Sequence, residues 1–243
     1  MRLACADRPD VLCLQEVPVW ALGRLEAWSG ATAVGAVAAR PMIGPLPIPA
    51  ELGRRLTELD NGLLRSAFTG QANAILLAPG LRVLARHVLV LNDRAFRRAQ
   101  ARALRLDPVI RLAWAKERRV CVAVRVGLAD ATTAVVTNLH ASKSADERLP
   151  DAELLRAAVF ADALARPDEL VVLAGDFNVR RERSRSLAEL TGPDWGFSEA
   201  GAGIDHVLVR GAGSAPADVW PEERRRFGGR LLSDHAPVEV AVG

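Results

Sequence analysis

Lysine is almost missing from this chain of 243 residues. Lys116 and Lys143 are the only two, so 30 of the 32 basic side chains are arginines. Set against 29 acidic residues, they leave a net charge of +3, which permits a phosphate-bearing partner without requiring one. The arginine bias reads first as a GC-rich genome and second as a supply of forked donors suited to phosphate. Cysteine is scarce too. Cys5, Cys13 and Cys121 are odd in number, lie in apolar or strand-like runs and show no C-x-x-C spacing. That excludes a disulfide framework or zinc ribbon and predicts reduced, mostly buried thiols in a cytoplasmic protein. Long apolar runs are missing as well. Arg40 and several prolines interrupt residues 28–50, so no segment reaches the roughly 20 apolar residues of a membrane span. Arg2, Asp7, Arg8 and Asp10 break up the first ten positions, and no export signal is visible.

What remains is an ordinary globular composition. Half of the residues are apolar and a quarter charged, which excludes a disordered, collagenous or coiled-coil chain. No repeat and no long polar linker divides the sequence, so a single domain over residues 1–243 and a monomer are expected. Strand-like patterning covers residues 10–16, 33–38, 72–77, 81–91, 119–126, 132–139, 170–174, 204–209 and 236–242. Helical patterning covers 18–28, 51–59, 93–105, 151–166 and 182–190, with Pro150 and Asp151 as the start signal of the fourth. Strands outnumber helices, and several pair as hairpins, for example 119–126 with 132–139. This predicts a layered α/β or α+β fold with mixed sheets rather than a doubly wound parallel one. The prolines at 41, 45, 47 and 49 read as a surface loop.

The chemistry gathers at strand ends. The apolar run 170–174 leads into Gly175-Asp176-Phe177-Asn178, which reads either as a turn or as a carboxylate and an amide that hold a water, a metal or a phosphoryl oxygen. Asp176 and Asn178 point the same way if the backbone stays extended. Asp205 lies on a strand face with Val207 and Val209 and needs a partner once buried. His235, at the mouth of a valine-alternating strand, is the natural one. His140 ends another strand. A hairpin centred near Ala129 sets it opposite Arg118, within one residue of Glu117 or Arg119, and either neighbour would orient the imidazole. Glu16 closes the apolar strand 10–16 and reads as a metal ligand or a solvated strand end.

In this order the segments PDVLCLQEV, NLH, GDFN, IDHVLV and SDHAPV resemble the endonuclease/exonuclease/phosphatase superfamily, the metal-dependent phosphoesterases related to pancreatic deoxyribonuclease. QANAILL at 71–77 is similar to a further strand of that family. The resemblance implies a DNase-I-like four-layer α/β/β/α sandwich of two mixed β-sheets, with Mg²⁺ (or Mn²⁺) held by Glu16 and Asp234. It also implies a catalytic set of His140, Asp176, Asn178, Asp205 and His235, and a phosphate ester as substrate, with nucleic acid among the candidates. The chain has no tyrosine and carries His140. It therefore looks like the branch of deoxyribonucleases, sphingomyelinases and inositol polyphosphate phosphatases rather than the abasic-site endonucleases. Arginines within residues 180–185 and 224–226 are candidates for gripping phosphate, or else solvated loops. Family members begin with an asparagine-bearing strand that is not recognisable ahead of Asp10. Its loss is expected to expose a sheet edge and to make this chain less soluble and at least about tenfold less active than a form extended upstream. The alternative reading is a catalytically impaired phosphoesterase fold acting as a binding module.

Overall fold

The computed structural model describes residues 1, 3–59 and 65–243. Strands β1 (Val11–Val17), β2 (Thr32–Ala39) and β3 (Gln71–Leu77) form an antiparallel sheet in the order β1-β3-β2. A second sheet contains β4 (Arg82–Val90), β5 (Val120–Gly127), β6 (Thr133–His140), β7 (Leu170–Asp176), β8 (Ser198–Ala202) and β9 (Asp205–Arg210), in the order β8-β9-β7-β6-β5-β4. Alternation along β5 explains how the sheets stack. Val120, Val122, Val124 and Val126 join Val34, Ala36, Ile75 and Leu77 in a core between the two sheets. Cys121 points the other way, into a core with Leu139, Leu173 and Leu208. There the long helix α4 (Arg148–Leu164) covers the large sheet with Leu154, Ala157, Ala158 and Ala161, all fully buried. On the far side of the small sheet, Ala21 and Leu25 from two short helices (Val19–Leu22 and Leu25–Ser29) pack against Ala72, Ala74 and Leu76. Period-two strands with both faces apolar thus dictate four layers, α/β/β/α.

Only the larger sheet is mixed, through its single parallel pair β6/β7; the three-stranded sheet is antiparallel throughout. The helix expected over 18–28 is broken at Gly23. Helix α4 starts a turn earlier than Pro150 suggests, because a first-turn proline lacks only an N–H that has no intrahelical acceptor anyway. Besides helices α1 (Ala50–Leu59) and α2 (Arg94–Ala103), both anticipated, there is α3 (Pro108–Lys116), started by Pro108 and capped by Asp107, whose side chain accepts from Val109 N. The expected helix over 182–190 is a 3₁₀ turn at Arg181–Arg183 followed by a helix at Arg185–Leu190. The strand expected over 236–242 shrinks to Val238–Glu239, which pairs with Asp218–Val219 and joins neither main sheet. β1 correspondingly lies at the edge of its sheet.

Register positions the site. Cys121 pairs with Leu139, so the β5/β6 hairpin turns about Asp130 and sets Val120, not Arg118, level with His140. The Asp130 carboxylate, accepting from Thr132 N and Oγ1, and Ala131 at φ 68° shape that turn. In the next two ladders His140 pairs with Asp176, and Asp176 pairs with Asp205. The three side chains form one row across the ends of adjacent strands. Gly175 makes this close approach possible. Its φ is 139°, and a Cβ there would lie 2.0 Å from Leu139 O. A Gly175→Ala substitution is expected to lower the melting temperature by several degrees and to disturb the row. Retained stability, measured by thermal denaturation, would contradict that reading.

Candidate active site

Three side chains converge at the end of the large sheet. Ligand atoms of Asp176, Asp205 and His235 all lie within 4.8 Å of one another. His235 comes from the C-terminal segment rather than from a sheet strand, and its Nδ1 lies 2.8 Å from Asp205 Oδ2. The backbone does not stay extended past Asp176. The chain turns, Asn178 adopts φ 52°, and Asn178 N donates to Asp176 Oδ1 at 2.9 Å. The two side chains therefore do not project in parallel. The Asn178 amide donates instead to Ala141 O at 2.9 Å and fixes the segment behind His140.

His140 is buried between Asp176, whose Oδ2 lies 3.4 Å from Nε2, and Arg119, whose Nη1 lies 3.1 Å from both ring nitrogens. A proton on Nε2, facing Asp176, leaves Nδ1 to accept from the guanidinium and satisfies both neighbours. Burial and the Arg119 charge, with His235 nearby, push the His140 pKa down to about 3, so this imidazole is neutral at physiological pH. Arg119 is itself held by an ion pair with Glu117 and by its backbone N–H to Asn92 Oδ1. Its Nε, buried, has no acceptor.

The carboxylates behave in the opposite sense. Burial first, then the neighbouring Asp205 charge, raise the Asp176 pKa to about 6. Burial also raises that of Asp205, despite the His235 hydrogen bond. For His235, burial acts downward, but the Asp205 hydrogen bond and the charges of Asp205, Asp176 and Asp234 outweigh it and raise the pKa. Asp176 thus binds its proton more tightly folded than unfolded, so its contribution to stability is present below about pH 4 and lost as the pH rises through about 6. Asp176→Asn is accordingly expected to raise the melting temperature in metal-free buffer above that range, with the gain vanishing in acid. Thermal melts across pH check this; an equal or lower melting temperature at neutral pH would contradict it.

Glu16 and Asp234, expected as metal ligands, are not members of the Asp176–Asp205–His235 cluster. Glu16 is exposed, with φ 53° at an irregularity in the β1/β3 ladder, and lines a cleft with Met1, Trp20 and Trp28. Its neighbour Gln15 donates to Asn138 Oδ1 at 2.7 Å, while Asn138 donates to Leu14 O and Ala74 O. These bonds bring the end of β1 to the strand that carries His140. The Asn73 amide is spent on Val120 O at 2.8 Å.

Supporting residues went unrecognised in the sequence. Glu153, fully buried, accepts from Trp114 Nε1, Ser142 N and Ser142 Oγ, fixing the chain just after His140. His206 stacks on Phe177 and places its ring nitrogens against Glu199 Oε1 and Val179 O, which ties the 177–179 turn to β8 and β9. Arg119 carried a signal, since hairpin counting brought it within one residue of His140. Glu153 and His206 carried none, because their partners lie on separate elements.

A two-sheet sandwich with acidic and imidazole groups at the strand ends defines a class of phosphoesterases. The model of the Endonuclease/Exonuclease/phosphatase family matches residues 4–235, and the chain belongs to that family. No curated protein matches the sequence. Among solved structures, the endonuclease/exonuclease/phosphatase protein from Bacteroides vulgatus superposes with a TM-score of 0.67 at 14% identity, over 100% of this chain and 88% of that one. The human Nocturnin catalytic domain, with bound sulfate, gives 0.63 at 14% over 98% and 82%. D. rerio TDP2, in complex with a single-strand DNA product, gives 0.62 at 13% over 98% and 87%. At such identities the likeness shows the DNase-I-like fold. Among the described residues, no helix is long and apolar enough to cross a membrane.

Proposed function

We propose that this chain, as one catalytic domain, is a divalent-metal-dependent phosphodiesterase or nuclease that uses a water activated at the Asp176–Asp205–His235 cluster. The observation that carries this reading is the row His140, Asp176, Asp205 across three strand ends, joined by His235. Two adjacent, partly buried carboxylates with raised pKa values need a cation to offset their repulsion, so the donor set fits Mg²⁺ or Mn²⁺. Asp176 and Asp205 would hold that ion with the substrate phosphate, Glu16 and Asp234 being the further ligands that the family resemblance implies, and when bound it would supply Lewis-acid polarisation of a phosphoryl oxygen.

His235, oriented through Nδ1 by Asp205, leaves Nε2 free to take a proton from the attacking water. Such acid–base help contributes roughly 10² to 10⁴ in rate. Asp176 shares that water and keeps it in line. His140, held neutral, shares its Nε2–H between Asp176 and the charge that builds on phosphorus-bound oxygen, and the Arg119 guanidinium behind it adds positive charge at that end of the row. Asn178 acts through Ala141, holding the loop behind His140 in place.

The expected outcome is Mg²⁺- or Mn²⁺-dependent hydrolysis of bis-p-nitrophenyl phosphate that stops with EDTA. Activity persisting in EDTA would remove the metal from the account. Complete inertness with either ion would favour the impaired binding module, a reading to which the exposed Glu16 lends support.

A further inference from the structure

Helix α2 carries a concentrated run of positive charge. Residues 94–118 hold eight basic side chains against two acidic ones, a net +6 in a chain whose total is +3. Arg94, Arg98 and Arg102 recur at every fourth position, so they lie along one side of the helix with an axial step of about 6 Å. All three are exposed, as are Ala95, Ala99 and Ala103 beside them. Phe96 and Ala101 turn inward, to a small core with Trp114 and Leu149. Among the described residues, neither Arg94, Arg98, Arg102 nor the following Arg105 has an ion-pair partner.

The candidates read from sequence fare differently. Arg181 pairs with Glu199, Arg183 with Glu147, Arg224 with Asp7 and Glu239, and Arg226 with Glu222. Four of those seven arginines are spent within the protein, while Arg180 and Arg185 are exposed and, among the described residues, have no ion-pair partner. The α2 stripe sets three unpaired arginines at i,i+4 spacing on one helix face, where like charges repel and cost stability. The helix is retained by the Asp93 cap, which accepts from Ala95 N and Phe96 N, and by Arg156, which pairs with Asp93 and lies over the Phe96 ring.

Its place in the fold matters. The α2–α3 insertion leaves the large sheet after β4 and returns at β5, at the end where His140 emerges. Asn92, two residues before α2, accepts from Arg119 N and donates to Glu117 O. The stripe is thus rooted at the same end of the large sheet as His140.

We infer that the exposed face of α2, through Arg94, Arg98 and Arg102, docks the phosphate backbone of a nucleic acid that the neighbouring site cleaves. This deepens the proposed function and rests on it for the cleavage step. The expected recognition is of phosphates, because evenly spaced arginines separated by alanines present a line of charge with no aromatic platform on which bases could stack. An anionic membrane is the poorer match, since the face has no large apolar residue to bury between lipid headgroups.

The test uses the full chain and a triple Arg94→Gln/Arg98→Gln/Arg102→Gln variant, with circular dichroism as the check on folding. Fluorescence anisotropy of a labelled oligonucleotide in EDTA, over a salt series, should show about tenfold or greater loss of affinity. The slope of log K against log salt should fall by about two to three contacts' worth. Hydrolysis of bis-p-nitrophenyl phosphate should be unchanged. Equal affinity and slope for both proteins would overturn the inference, and so would binding to phosphatidylserine vesicles without binding to DNA. Parallel loss of small-diester turnover would also overturn it by placing the arginines in the catalytic machinery. If neither protein hydrolyses the small diester but the variant alone loses the oligonucleotide, the phosphodiesterase reading fails while the docking surface stands.

Discussion

Alanine at His235 is expected to reduce diester turnover by roughly 10² to 10⁴ while leaving the circular dichroism spectrum unchanged. The size follows from its position. His235 is partly exposed, sits on an irregular C-terminal segment, and makes its one side-chain hydrogen bond to Asp205. Little packing is lost, whereas the group proposed to accept the proton is removed. Steady-state kinetics should show the loss in kcat rather than KM, because the imidazole acts on water. Turnover within a few-fold of the parent would take His235 out of the chemistry and leave Asp176 as the base.

Asp205→Asn should be nearly as damaging, although it preserves shape and an acceptor atom. Asp205 is half-buried at the end of the row, and its charge is among the causes that raise the His235 pKa. Losing that charge leaves the imidazole less basic and free to adopt the wrong tautomer. A buried aspartate behind a catalytic histidine has an effect of up to about 10⁴ when it becomes asparagine in the serine-protease triad. The acidic limb of the pH–rate profile should also move to lower pH, since less stabilisation of the imidazolium means its proton leaves earlier. A large rate loss with an unmoved limb would mean that Asp205 acts in some way other than through His235.

Much of this was legible in the sequence because strand ends are marked by local composition. The apolar run 170–174 breaking into GDFN located Asp176, and the alternation around Asp205 required a partner that His235 supplies. The valines of β5 were enough to predict a strand there and its hairpin with β6. What failed had long-range causes. A hairpin turn set by the Asp130 hydrogen bonds and the left-handed Ala131 moved the register of His140. The turn at Asn178 broke the extended geometry on which parallel side chains depended. Segment 236–242 has a strand's alternation, yet only Val238–Glu239 finds a ladder partner. Periodicity cannot reveal whether a neighbouring strand is available. The paired and unpaired arginines look alike in sequence, and only their surroundings separate Arg181, beside Glu199, from Arg98, with no acid in reach.

If water prepared at the Asp176–Asp205–His235 cluster attacks phosphorus, its oxygen ends on phosphorus. A dialkyl or alkyl-aryl phosphodiester is hydrolysed by the Mg²⁺-supplied protein in water enriched in heavy oxygen, and the label is located by mass spectrometry. One labelled oxygen is expected in the phosphomonoester product, none in the released alcohol, and the labelled product should be lost in His235→Ala. Label in the alcohol, or labelled product formed equally well by His235→Ala, would contradict that attack.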